Sequence, residues 1–489
     1  MNMKVTHRRS NRTDQNSVKQ PFRTVCKAGL LSLLLGLILP VALRAQPVYF
    51  PIATQGAVMN FAFDGSNCLV GVENHLTPSA TIGAQLLSST GAKLGSLIPT
   101  GRSGIATAVG FDGTNYLLIW EDNGMGTLTN ESYQVYGQFI SKAGTTVGSP
   151  FNISGLGIQF DGIKTMAYGG GKYLVTYTRL IVPAYGSAST NRFIAGRMVD
   201  PSGTLGNEFR VSTGYGKASD VAFDGNNFFV IWCEDFADAE IRGRFVSPAG
   251  VPGTEISINA SPAPSDNPNS VIFGGTNYLV VWNDEVGGAD TGTWDSFGQF
   301  VSTSGALVGG VITLTAEAGP QIATSVAFDG NRYLATWVDM QNETNWNCFG
   351  QFISQNGSLF GDKLTLSTDP QNQMCGVGFA NDKYVVVVNN GIMLGDGGIT
   401  QIDSSSGAFI TPPASPQMVT GDANFGVRAN RFGFNIAGYS NVVVVVDACT
   451  NLANPNWIPL QTNTLTGGSS YFSDARWTNE LKRFYRLRW

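Results

Sequence analysis

Histidine and thiol chemistry can be weighed first, because this chain has so little of either. Its 489 residues hold two histidines, His7 and His75, and six cysteines. So few histidines argue against a His-rich zinc site, a Ser-His-Asp triad and histidine general-base catalysis. The cysteines, at 26, 68, 233, 348, 375 and 449, follow no disulfide framework and form no CxxC pair. Cys348 and Cys375 stand at positions that could pair, with buried thiols as the competing reading. Carboxylates remain. Glu73, Glu121, Asp122, Glu234, Asp235, Asp284, Glu285 and Asp339 each follow an apolar run, and Tyr133, Tyr185, Phe236, Trp294 and Trp346 lie in the connections just beyond. Paired Asp/Glu side chains cleave glycosides without histidine. An acidic rim with aromatics could equally bind carbohydrate, a cation or a basic partner, or be a solvated surface.

The elements that would carry these residues emerge from self-comparison. An apolar stretch ends in Phe-Asp-Gly, a polar pair follows, and an aromatic-led apolar run closes on Trp and acid. Phe111-Asp112-Gly113-Thr114-Asn115-Tyr116 through Trp120-Glu121-Asp122 is the clearest copy. The leading aromatics fall at 63, 111, 168, 223, 273, 328 and 379. A second phrase follows, as in Tyr136-Gly137-Gln138-Phe139 and Phe297-Gly298-Gln299-Phe300, then a short alternating run. Each unit predicts four strands: A ending at the Phe, a tight Asp-Gly turn, B to the Trp, C with Gly-Gln-Phe, and D. Seven such units at this period make an all-β chain, a seven-bladed β-propeller spanning 46–411. The Asp of each Asp-Gly (Asp112, Asp224, Asp329) is one carboxylate per loop, where a calcium loop needs several, so a turn role is expected. No metal or cofactor is expected. Tyr116, Trp120, Phe228, Trp232, Tyr278, Trp282, Tyr333 and Trp337, four apart within each B strand, should be core.

Closing the ring needs an extra strand. Val48–Ala53 reads as a D strand standing before the first A, so it should pair into the last blade, whose own tail is short. The A–B turns are uniformly short, whereas the B–C connections vary in length. That end of the ring is the expected binding face, with Glu121, Asp122, Tyr133, Glu234, Asp235, Asp284, Glu285, Trp294, Asp339 and Trp346 as its candidate residues and no catalytic residue assigned.

The first 45 residues stand apart. Residues 1–27 are basic and polar, 28–43 are apolar, and Ala45 precedes Gln46, the pattern of a secretory signal peptide. Eight of the 30 Lys+Arg but only one of the 35 Asp+Glu lie there. The remainder is strongly acidic, which argues against nucleic-acid binding. The sixteen-residue apolar run is shorter than the roughly 20 residues of a spanning helix, so no membrane span is expected after cleavage. The exported product would be extracellular, on the cell surface or periplasmic.

A Pro-rich stretch, 412–420, separates a tail of short strands, 421–489, read as a small β-sandwich. Asp447-Ala448-Cys449-Thr450-Asn451-Leu452, Asn456-Trp457, Phe472-Ser473-Asp474 and Arg483-Phe484-Tyr485-Arg486 carry a pattern that resembles the short fibronectin-III-like C-terminal domains of secreted bacterial proteins. The resemblance covers this last seventh of the chain and implies an accessory module for adhesion, sugar binding or surface retention. The sialidase-type Asp box and the Trp-docking motif of quinone-dependent propellers are absent. The sequence therefore favours a monomeric interaction module for a polysaccharide or surface protein, with a carboxylate-based polysaccharide-active enzyme as the alternative.

Overall fold

Antiparallel four-stranded sheets succeed one another along the chain, as the repeats predict. The computed structural model describes residues 49–489 apart from 55, 59, 75–80, 123–133, 156–164, 182–190, 235–239, 260–266, 287–292, 343–344, 370, 392, 396–397, 402–403 and 481. Ile105–Phe111, Asn115–Asp122, Gln134–Ser141 and Thr146–Asn152 pair in sequence as strands A to D of one sheet. Equivalent sheets lie within 56–103, 165–210, 217–259, 267–313 and 321–367, and the last within 373–410. The turn between A and B is built by its Asp: Asp112 Oδ1 accepts from Thr114 N and Asn115 N, both at 2.7 Å, while Gly113 takes φ +96°. Asp64, Asp224 and Asp329 repeat the arrangement. A side chain that caps two backbone donors is a turn former, as expected.

Apolar faces meet between neighbouring sheets, not within one. Trp120, Tyr116 and Leu118 pack against Leu69, Ala84 and Leu86 of the sheet before. Trp232 and Phe228 do the same against Leu174 and Ile194, and Trp282 and Tyr278 against Phe229 and Ile231. The sequence of such contacts returns to its start, where Val70 and Val72 of the first sheet join Val385 and Val387 of the last. Strands A line a central channel of about 330 Å³, among them Phe61, Val109, Thr165, Asp220, Ser270 and Val377. The fold is a β-propeller.

Tyrosines latch the sheets together. Tyr116 Oη donates to Asn67 O (3.0 Å), Tyr173 to Asn115 O (3.3 Å), Tyr278 to Asn227 O (3.3 Å) and Tyr384 to Arg332 O (2.9 Å). Each acceptor is the carbonyl that ends the A–B turn of the preceding sheet. Within a sheet, the Gln of Gly-Gln-Phe holds the bulged D strand: Gln138 Nε2 donates to Phe139 O and Val147 O, and Gln299 Nε2 to Phe300 O and Val308 O. Arg197 and Arg244 replace it in two sheets and also reach back to Ile153 O and Val211 O of the sheet before.

The ring closes through its first strand. Tyr49–Thr54 pairs antiparallel with Ser404–Ile410, supplying the outer strand of the last sheet. Gly407 makes room for it, since a Cβ there would lie 2.5 Å from the Phe50 ring. Asn389 finishes the seam by bonding both Val58 N (3.0 Å) and Val58 O (2.9 Å). The described cysteines, Cys68, Cys233, Cys348, Cys375 and Cys449, are buried free thiols. Burial and the adjoining Cys375 raise the Cys348 thiol well above its ordinary range.

Residues 417–488 form two small sheets that share one core around Phe434, Ile436, Val444, Val446 and Phe472. They belong to the same compact unit as the propeller. Phe360 of the propeller packs on that core, Gly361 N donates to Ser440 O (3.1 Å), and Arg332 bonds Pro413 O. The motif residues prove to be pins. Asp447 accepts from Arg486 Nε (3.0 Å) and Arg488 Nε (3.3 Å), and Tyr485 Oη donates to Asp474 (3.0 Å). Burial works to raise the Asp447 pKa, but the hydrogen bonds and charges of Arg488 and Arg486 hold it below its ordinary 3.8. A carboxylate lowered in this way supplies stability above its unfolded pKa and loses it as pH falls through the folded value. Asp447→Asn should therefore lower the thermal midpoint at neutral pH, with the difference from wild type shrinking as pH falls through the lowered folded value; a gap that did not shrink in acid would show the arginine pairing is not its source.

Candidate functional site

Consecutive antiparallel strands put the B–C connections and the blade-to-blade connections at one end of the propeller, opposite the A–B turns. The ends of strands B therefore set the site's frame. Glu121 and Asp122 face Val135 and Gln134 on strand C, and Asp122 takes Arg102 Nε at 2.6 Å from the preceding sheet. Arg102 also lies over the Tyr136 ring, 4.2 Å from its centre. Glu234 and Glu240 share Arg242 between them. Asp339 is buried between Gln321 and Asn347 on the flanking strands. Glu285, also buried, stands opposite the partly buried Trp294. Trp346 is only 6% exposed and packs with Val338, Cys348 and Val388 in the core. Tyr133, Asp235, Tyr185 and Phe236 lie outside the described residues.

These positions share one end but not one pocket. Each acidic pair belongs to its own sheet, and burial or arginine occupies most of them. The carboxylates are components of the blade joints as much as of a surface. Burial follows from register: the polar residues ending strand B extend a run whose other members face the next sheet, so the first of them stay inside.

Two carboxylates escaped the sequence reading. Asp295 stands directly across from Asp284; only the strand register, which no repeat comparison reveals, brings them face to face. Asp220 sits three residues before the leading Phe223, where the other units have Asn60, Ala108, Thr165, Ser270, Ser325 and Gly376. It is the one acidic residue lining the channel among the described residues. Its Oδ1 accepts from Thr165 Oγ1 (2.7 Å) and Val221 N (2.9 Å), and its Oδ2 from Val271 N (2.8 Å), so it ties strands A of three sheets. Burial raises its pKa, opposed by the donors from Val271, Thr165, Val221 and Ser270. A carboxylate with this many donors is a structural clip. Asp220→Ala should cost about 2–4 kcal/mol by leaving buried donors unpaired, read from urea unfolding; a cost below ~0.5 kcal/mol would show the clip is idle.

A second concavity, about 360 Å³, lies at the opposite end, where the A–B and C–D turns around Asn331 and Asn356 meet Tyr439, Asn441 and Trp489 of the C-terminal sheets. No group of three or more His, Cys, Asp or Glu suited to a metal ion occurs among the described residues, and no described helix is long and apolar enough to cross a membrane.

No family model matches the chain, and no curated protein matches it. Solved structures similar to it include the periplasmic gluconolactonase of Pseudomonas aeruginosa, 14% identical with a TM-score of 0.45 over 71% of this chain and 99% of that one. Hydrazine synthase of Kuenenia stuttgartiensis gives 12% identity and a TM-score of 0.43, over 73% and 97%. TolB from Acinetobacter baumannii gives 11% and 0.33, over 70% and 79%. Likenesses this distant carry no argument about chemistry, and the propeller stands on its own sheets and contacts.

Proposed function

We propose that this chain is an exported, non-catalytic interaction module that holds a polysaccharide or a surface protein on the B–C end of the propeller. In this reading residues 1–45 are a cleaved signal peptide. The sheets of 46–411 count as seven blades, 412–420 is the linker, and 421–489 is a fibronectin-III-like β-sandwich that serves adhesion or retention outside the cell. The mature chain acts as a monomer without a nucleic-acid or membrane-spanning role.

The observation that carries binding over catalysis is the engagement of the carboxylates. A glycosidase needs two carboxyl groups free to face one substrate bond, whereas Asp122 and Glu234 are held by Arg102 and Arg242, Glu121, Glu285 and Asp339 are buried, and in the facing pair of Asp284 and Asp295 the second carboxylate is buried too. The connections of unequal length at that end are then the variable part, and variation confined to one end of a rigid scaffold is how such folds acquire recognition. A glycan array probed with residues 46–489, beside an assay for new reducing ends on the glycans that bind, tests this. Retention without cleavage is expected, and it should weaken when 123–133 is replaced by a short Gly-Ser turn. Release of reducing ends would overturn the non-catalytic reading and favour the carboxylate-based enzyme; retention unaffected by the replacement would move the site off this end.

A further inference from the structure

The B–C end of the fifth sheet has an electrostatic imbalance that its neighbours do not share. Asp284, at the end of Asn277–Glu285, and Asp295, at the start of Trp294–Ser302, are directly paired across the two strands. Directly opposed residues project to the same face with their Cβ atoms about 5 Å apart, and like charges so placed repel. Asp295 is 7% exposed. Its Oδ1 and the Oδ1 of Asp284 are both buried with no hydrogen-bond partner. Buried carboxylate oxygens left bare are costly and call for a counter-charge.

The repeat itself supplies the comparison. In the preceding sheet Glu234 and Glu240 occupy the equivalent places, and the Arg242 guanidinium bridges them. Two sheets earlier still, Asp122 takes Arg102 and faces the neutral Gln134. The residue of the fifth sheet that corresponds to Arg242, one before the Gly of Gly-Gln-Phe, is Phe297. The adjoining segments offer no substitute: 234–240, 259–267 and 284–295 contain nine acidic residues and no Lys or Arg.

We propose that Asp284 and Asp295 bind a divalent cation of the Ca²⁺ or Mg²⁺ type, which fills the place the guanidinium takes in the fourth sheet. Carboxylate oxygens suit hard cations of this kind. Two carboxylates are fewer ligands than a closed cage provides, so water completes the coordination, as is usual for ions held by one or two carboxylates. Thr315, two residues beyond the end of Leu307–Thr313, acts on Asp295 in favour of its charged form, the form that binds a cation. The inference does not depend on the glycan reading: the ion would stabilise the acidic end whatever that end recognises.

The test uses residues 46–489 stripped with EDTA and dialysed. Millimolar CaCl2 or MgCl2 should raise the thermal midpoint by roughly 2–5 °C, and calorimetric titration should show one site per chain. TbCl3 should give tryptophan-sensitised emission, because Trp294 adjoins Asp295, and CaCl2 should compete it away. Asp284→Asn and Asp295→Asn should each abolish the midpoint shift and the terbium signal, while Glu317→Gln, at an exposed ion pair with Lys363, should leave both intact. The rival is an Asp295 kept neutral by its own proton, since burial raises its pKa. No shift with either salt, together with an Asp295→Asn chain that melts higher than wild type, would overturn the cation. Loss of cation binding with glycan retention intact would count against this inference alone.

Discussion

A chain lacking residues 46–54 is expected to melt about 10 °C below the mature protein. The strand it loses buries Ile52, 2% exposed, against Cys68, Val70 and Val385. It also removes Phe50 from its place beside Phe409, with ring centres 5.1 Å apart, and Tyr49, whose hydroxyl donates to Leu366 O. Two large apolar side chains at roughly 1.5–3 kcal/mol each, with the partners they cover, put the loss at about 6–9 kcal/mol. Ser404–Ile410 would then become an exposed edge strand, open to pairing with other chains, so the truncated protein should also aggregate at lower concentration. Differential scanning calorimetry and light scattering read both effects. An unchanged melt would refute closure through this strand.

Trp282→Ala is expected to cost about 3–5 kcal/mol. The indole is 1% exposed and lies between the fourth and fifth sheets, stacked with Phe297 at 6.1 Å. Its Nε1 has no hydrogen-bond partner, so the loss is of packing alone and Trp282→Phe should recover more than half of it. Urea unfolding monitored by circular dichroism gives the number. A cost near 1 kcal/mol would mean that neighbouring blades collapse into the space, and that the joint is more plastic than its burial suggests.

Much of this was legible because it repeats. Asp-Gly pairs before aromatic runs announced hairpins, and four-residue spacing of Tyr and Trp announced a buried face. The Val48–Ala53 phrase, out of place before the first unit, announced the closing strand. The site was less legible, for reasons of register and reach. Glu121, Asp339 and Trp346 read as rim residues because they adjoin variable connections, yet alternation along strands B and C carries them inward. Asp295 went unmarked because its significance depends on which residue stands across from it. Asp220 was hidden by its own unit, a single substitution in a position that is otherwise small or neutral. Arg102, which neutralises Asp122, lies twenty residues away on another sheet.

The tyrosine latch has a consequence for how such a chain could have been assembled by gene duplication. Each unit that carries it presents a hydroxyl backward and a turn carbonyl forward, so a copied unit inherits both halves of the joint and fits between its parents without further mutation. Tandem duplication can then lengthen the array in whole units. Two units depart from the rule: Cys68 in the first and Phe228 in the fourth occupy the place of Tyr116, Tyr173, Tyr278 and Tyr384, and the junction of the first with the last unit relies instead on Asn389 and the borrowed N-terminal strand. A duplicated copy of either of these two units would bring no backward hydroxyl with it, so the units that carry the tyrosine are the ones that can be multiplied without further change.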